Sequence, residues 1–178
     1  MQNIKVSVDA VVFGYSSEDG LSVLLIKRGI EPFKSKWALP GGLVEDDESL
    51  EQAVERELKE ETGVKINYLE QLYTFGSPKR DPRNRVISVT YYGLVRPGNF
   101  DLKADTDASD AAWFNIKILP ELAFDHAMII EKSIDRLKGK IVYEPIGFEL
   151  LEKQNQRLGQ FRRKWRKYEA PDDPNRKA

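Results

Sequence analysis

The segment GLVEDDESLEQAVERELKEETGV, residues 42–64, constrains this chain more than any other. Leu50, Ala53, Val54 and Leu58 recur with a helical period, and Gly63 stands where a left-handed C-terminal cap belongs. Asp46 or Asp47 is the expected N-cap. With Glu57 at zero and about 100° per residue, Leu50, Ala53 and Val54 lie within about 60° of it, and so do Glu60 and Glu61 one turn on. Glu51, Gln52, Glu55 and Lys59 fall on the other side. A stripe that begins apolar therefore ends in three carboxylates, which repel one another when ionised. Solubility alone would place them beside Glu51 and Glu55. Carboxylates clustered on a rigid helix suit a hard divalent cation, which removes the repulsion. The plain alternative is a Glu-rich helix of imperfect period. Arg56 lies eight residues beyond Glu48, roughly 12 Å of helical rise, so a direct pair needs Glu48 to bend back from the loop or first turn. The preferred role for Arg56 is to orient one carboxylate by a bidentate hydrogen bond.

Composition narrows the chemistry. The chain has 178 residues, no cysteine and one histidine. Disulfides, thiolate metal sites, a cysteine nucleophile and a polyhistidine zinc site are excluded, so any metal is hard and oxygen-ligated. Lys and Arg number 28 against 29 Asp and Glu, a balance that argues against a dedicated nucleic-acid binder. The N-terminus lacks a signal-peptide pattern, and no window approaches 18 apolar residues. A protein of the cytoplasm with no membrane partner is the expectation.

The rest reads as an α/β chain. Ile4, Val6, Val8, Ala10 and Val12 alternate as on one face of a strand. Residues 21–27 form a second strand, joined to the first as a hairpin by the polar turn at 16–20. Residues 29–42 carry three glycines and two prolines and form an ordered loop. Further strands are expected at 64–75, 86–95 and 111–115, a second helix at about 121–138 after Pro120, and a short strand near 141–149. Trp113 and Phe114 are expected to pack in the core. Residues 1–150 form one domain. Residues 151–178 form a basic, partly disordered helix or tail; from residue 152 on it holds nine basic and four acidic residues.

The residues of the first segment match the Nudix box, G-x5-E-x7-R-E-U-x-E-E-x-G-U with U aliphatic. Here it is Gly42, Glu48, Arg56, Glu57, Leu58, Glu60, Glu61, Gly63 and Val64, with every specified position satisfied. The chain thus resembles Nudix hydrolases over about residues 4–150, including Trp37-Ala38-Leu39-Pro40-Gly41 just before the box. The resemblance implies the Nudix α/β/α sandwich, a mixed sheet between helices, and hydrolysis of a nucleoside diphosphate linked to another group. It implies Mg2+, with Mn2+ as the alternative, held by Glu57, Glu60, Glu61 and a backbone carbonyl at Gly41 or Gly42. Glu57, Glu60, Glu61 and Arg56 are the implied catalytic set, and Gly41, Glu48 and Gly63 serve the motif structurally. Glu60 or Glu61 is the expected general base.

The stretch Tyr73-Thr74-Phe75-Gly76-Ser77-Pro78-Lys79-Arg80-Asp81-Pro82-Arg83-Asn84-Arg85 resembles ADP-ribose pyrophosphatases and the Nudix domain of Nudix-related transcriptional regulators. Its four basic residues, Arg80, Arg83 and Arg85 among them, could attract a diphosphate. Phe75 or Tyr73 could stack on adenine, and Arg28 could reach a phosphate. The bland alternative is a solvated Pro-rich loop. For Asp125 and His126 a structural hydrogen bond is expected ahead of catalysis. Leu122-Ala123-Phe124-Asp125-His126 and Glu144-Pro145-Ile146-Gly147 look like the regulator branch, in which a C-terminal winged helix reads DNA. Only 27 residues follow Leu151, too few for a full winged helix. The expectation is therefore an ADP-ribose pyrophosphatase acting on a small nucleotide, by resemblance a homodimer. The alternatives are a nucleotide-sensing protein whose basic tail meets DNA, or a hydrolase of another nucleotide.

Overall fold

The first strand, β1 (Ile4–Ser16), sets the architecture. Its residues 7–14 are buried without a break, so the strand is covered on both faces. Val8, Ala10 and Val12 point to one side and join a cluster with Ala53, Val54 and Leu58 of helix α1 (Leu50–Thr62). Each fully buried valine or leucine there contributes about 1.5–3 kcal/mol. Ile4 and Val6, on the same side, are exposed, at 42% and 41%. The opposite side of β1 presents Asp9, which faces Arg80 and His126. The computed structural model describes residues 3–66, 68–104 and 108–143, the side chains of 141–143 excepted. The chain divides into two compact units, residues 1–134 and 135–178. The strands, α1 and the site described below lie in the first unit. The expected boundary at 150/151 and the basic tail lie outside the described residues.

The described strands form one mixed sheet. β1 pairs antiparallel with β2 (Gly20–Arg28), the expected hairpin. It pairs parallel with β6 (Arg85–Val95) over eleven positions, from Ile4–Arg85 to Gly14–Val95. Beyond β6 lies β5 (Glu70–Phe75), antiparallel. β2 also pairs with β3 (Trp37–Ala38) and β7 (Ala108–Asn115). β4 (Gly41–Leu43) lies against β1 with Asp9 opposite Gly41. Helix α2 (His126–Tyr143) follows β7. With α1 on one face of the sheet and the start of α2 on the other, the order is helix, sheet, helix.

Several boundaries differ from expectation for local reasons. The N-cap of α1 is Ser49, not Asp46 or Asp47. Its hydroxyl accepts from Gln52 N–H and the Gln52 side chain returns the bond, a capping box spelled Ser-x-x-Gln. Gly63 caps the other end at φ 72, in the left-handed region, its N–H on Lys59 O. The strand expected from 64 begins only at Glu70. Val64, Ile66 and Leu69 instead pack beneath α1. α2 starts at His126 rather than after Pro120, because residues 121–123 are tied to Trp37: Trp37 N–H donates to Glu121 O and Ala123 N–H to Trp37 O, at 3.4 and 2.8 Å. Residues 141–143 are helical where a strand was expected; the rest of that stretch lies outside the described residues. Trp113 and Phe114 are half-buried, Trp113 against the α1 cluster and Phe114 edge-on to Trp37.

Candidate active site

The inner end of α1 brings Glu57 and Glu61 against the Gly41-Gly42 backbone. Glu61 is 5% exposed, and its Oε2 accepts the Gly41 N–H at 2.8 Å. The Glu57 carboxylate lies where a Cβ on Gly42 would sit, 2.1 Å from that position, so only glycine admits it. Burial pushes the Glu57 carboxyl above the usual carboxylate range, although Arg56 opposes the shift. Glu60 departs from the expected stripe. Its side chain is 44% exposed, while Ala53, Val54, Leu58 and Glu61 are buried. Counted from Glu57, that buried face is centred about 40° to one side and Glu60 lies about 60° to the other, so Glu60 stands at the solvent edge.

Arg56 holds this end together. Its Nε and Nη2 grip both oxygens of Glu48 at 2.9 and 2.6 Å, since Glu48 precedes the helix and bends back. Its Nη1 donates to Glu57 at 2.8 Å and to Glu60 at 3.4 Å, and Nη2 also reaches Leu43 O at 3.2 Å. The two readings of Arg56, pairing with Glu48 and orienting a carboxylate, are therefore one geometry. The guanidinium draws Glu48 down to about 2, chiefly through the hydrogen bonds, so Glu48 stays ionised. On the outer face Glu51 accepts from the Tyr91 hydroxyl at 2.9 Å, and burial with that bond pushes Tyr91 up to about 12.

The donors suit a hard cation: the Glu57 and Glu61 carboxylate oxygens, beside a glycine cradle at Gly42 that a side chain would fill. Among the described residues no three Asp, Glu or His side chains form a ready cage. Mg2+ does not need one. It keeps several waters and is typically bound through one or two carboxylates plus substrate phosphates, which Glu57 and Glu61 can supply.

The 77–85 loop lies on the Asp9 side of the sheet. Arg80 is 6% exposed and forms a fork with Asp125, Nε–Oδ2 3.0 Å and Nη2–Oδ1 2.8 Å, with Nη2 also 3.4 Å from Asp9. Asp9 in turn accepts from the Ser88 hydroxyl and stands 3.7 Å from His126 Nε2. His126 accepts the Leu39 N–H on Nδ1 at 2.8 Å, and burial holds its pKa below the ordinary value. That is the structural bond expected of Asp125 and His126. Arg83 is half-exposed and paired bidentately with Asp81. Arg85 reaches back to Ser77 O at 3.3 Å across the loop mouth. Arg28 donates to Pro32 O and stacks over Phe124 at 5.0 Å, with Arg83 at 5.9 Å from the same ring. Phe75 is 6% exposed; the exposed ring beside it is Tyr73, with the Lys132 ammonium 3.7 Å from its centroid.

A cavity of about 380 Å3 opens between this loop and the start of α2, lined by Phe33, Lys79, Arg80, Phe124, Asp125 and Met128 among others. Phe33 and Phe124 meet edge to face at 4.8 Å, both at positive φ, 65° and 52°. Sequence reasoning missed both rings, and it missed Asp9. The signal for Asp9 was present: one carboxylate inside the apolar run VDAVVF.

A NUDIX domain model matches residues 4–137. The chain belongs to the NUDIX family. It is 46% identical over 126 residues to an ADP-ribose pyrophosphatase of Methanocaldococcus jannaschii, covering 71% of this chain and 70% of that one. It is 34% identical to the ADPR responsive transcriptional repressor NtrR of Acinetobacter baylyi, covering 82% of this chain but only 59% of the repressor. Among solved structures, the NUDIX domain of Shewanella oneidensis NrtR complexed with ADP ribose superposes with a TM-score of 0.72 at 38% identity, covering 77% of this chain and 90% of that one. No helix among the described residues is long and apolar enough to cross a membrane.

Proposed function

We propose that this Nudix hydrolase cleaves the pyrophosphate of ADP-ribose to AMP and ribose 5-phosphate with Mg2+, or Mn2+ in its place. The observation that carries the reading is the meeting of Glu57 and Glu61 at Gly41-Gly42, one strand pairing away from Asp9 and the basic loop. The match to an ADP-ribose pyrophosphatase supports the substrate. Glu57 and Glu61 hold the cation, Arg56 fixes Glu57, and Gly42 leaves room for the carboxylate. The cation supplies neutralisation of the pyrophosphate charge and a water made more acidic. Glu60, the carboxylate that solvent reaches, accepts the proton of the attacking water. Lys79, Arg83, Arg28 and Arg85 supply positive charge to the diphosphate end of the cavity, and Tyr73 is the accessible partner of the Phe75 pair for a base.

A panel of ADP-ribose, NADH, dinucleoside polyphosphates, nucleotide sugars and nucleoside triphosphates, with millimolar Mg2+ and Glu61→Gln as control, tests this. Fast AMP release from ADP-ribose alone, absent in the control, is the expected result. Fast turnover of another compound replaces the substrate. The second reading, an ADP-ribose sensor with residual hydrolysis, is favoured by the NrtR likeness. It predicts ADP-ribose binding without turnover.

A further inference from the structure

We propose that Arg80 is a positioning residue, a strut that fixes the 77–85 loop to Asp125 and, through Asp9, to the Gly41 backbone beside Glu61. This assigns it a role other than contact with substrate phosphate, and it rests on the site being the one described under the proposed function. Three observations carry it. First, the guanidinium is already matched: a bidentate fork to Asp125 at 2.8 and 3.0 Å and a third contact to Asp9 at 3.4 Å. Second, all three side chains are withdrawn from solvent, at 6% exposure for Arg80, 9% for Asp9 and 15% for Asp125. Turning the guanidinium toward a pyrophosphate would leave two carboxylates buried without their cation, a costly exchange. His126 cannot replace it, because its Nδ1 already accepts the Leu39 N–H, the arrangement of a neutral imidazole. Third, Asp9 is the strand partner of Gly41, and its Oδ1 lies 3.1 Å from where a Gly41 Cβ would sit. The Gly41 N–H holds Glu61. The strut therefore joins the loop that faces the cavity to the backbone that places a carboxylate of the site. Lys79, the exposed neighbour lining the same cavity, is left to meet the anion.

The experiment is a double-mutant cycle of Arg80→Ala, Asp125→Ala and the pair, with Arg80→Lys as a fourth variant. It is read by kcat and KM for ADP-ribose, by thermal melting, and by amide hydrogen exchange over 39–41 and 77–85. A strut predicts that each single change lowers kcat/KM by about tenfold or more and falls on kcat as well as KM, since misplacing reacting groups slows the chemistry. It predicts that the double variant is no worse than the worse single one. Arg80→Lys does not rescue, because a point charge cannot reproduce the fork. Exchange quickens in both segments. The proposal is overturned if Arg80→Ala raises KM alone with unchanged exchange while Asp125→Ala behaves as wild type, or if Arg80→Lys restores activity. Should Arg80→Ala fail to fold, Arg80→Lys and Asp125→Asn carry the same comparison. If wild type hydrolyses nothing, the substrate reading fails, and exchange alone decides the strut.

Discussion

Helix α1 and the turn before it gather Glu48, Glu57 and Glu60 around the Arg56 guanidinium, whereas the 77–85 loop sets Arg80 against Asp125 and Arg83 against Asp81. In the helix, burial raises the pKa of Glu57 and the fold tolerates it. In the loop, each named arginine meets a carboxylate in two-point geometry. Like charges held together by the fold ask for a cation from outside. Opposite charges already matched hold a shape. A basic residue in a cleft is therefore weaker evidence of anion binding than a carboxylate buried beside another carboxylate.

The largest expected effect breaks the helix side of this comparison. Glu57→Gln should lower kcat/KM by at least about 10²-fold, more than the loss of an outer partner of a metal site typically costs. Its melting temperature should hold or rise. The folded pKa of Glu57 is raised, so the stability it contributes is present below its unfolded pKa and lost as pH rises through the folded one. At neutral pH the buried charge is a burden that a neutral amide removes. Wild-type turnover in Glu57→Gln would sink the metal assignment.

Arg56→Ala comes next. It releases Glu48, Glu57 and Glu60 together, and should cost about 10–100-fold in kcat/KM with a clear fall in melting temperature. Activity lost at unchanged stability would mean that Arg56 serves the substrate rather than its neighbours.

The loop side sharpens through pH. His126 has its folded pKa depressed by burial, so its contribution is full above the unfolded value of 6.5 and is lost as pH falls below that toward the folded value. Melting scans stepping down from about pH 8 to pH 5 should show a decline below 6.5 that Glu or Asp titration alone would place lower. His126→Gln, which lacks the titrating ring, should flatten it; an unchanged slope would assign the decline elsewhere.

The smallest effect belongs to Arg83→Ala. Arg83 is 47% exposed but Asp81 only 8%, and Asp81 keeps the Arg83 N–H, so stability should fall by about 1 kcal/mol. A rise in KM for ADP-ribose with kcat unchanged is expected, and identical KM would remove Arg83 from the substrate contacts.

The box and its helix were legible because their determinants are local. A 3.6-residue period, the Gly63 cap and the spacing of Glu48 from Arg56 lie within 23 consecutive residues. The β1–β2 hairpin was legible for the same reason. Even the N-cap was written locally, in Ser49 and Gln52, and was misassigned only because two aspartates stood nearby. The exposure of Glu60 was misjudged because the helix was viewed from Glu57 rather than from the face that packs. The start of α2 escaped because Trp37, some 85 residues earlier in the chain, holds 121–123 extended.

What the sequence determined by itself is the family motif, the α/β class and a set of carboxylates suited to a divalent cation. Those rest on short-range periodicity and spacing, which survive without knowledge of any partner. The tertiary structure alone decided that β1 lies parallel to β6, that Asp9 meets Arg80, Ser88 and His126, and that Phe33 meets Phe124. Such meetings join residues 71 to 117 positions apart along the chain, as between Asp9 and Arg80. No local pattern encodes them, because they are fixed only when burying both faces of one strand forces distant segments to share the same space.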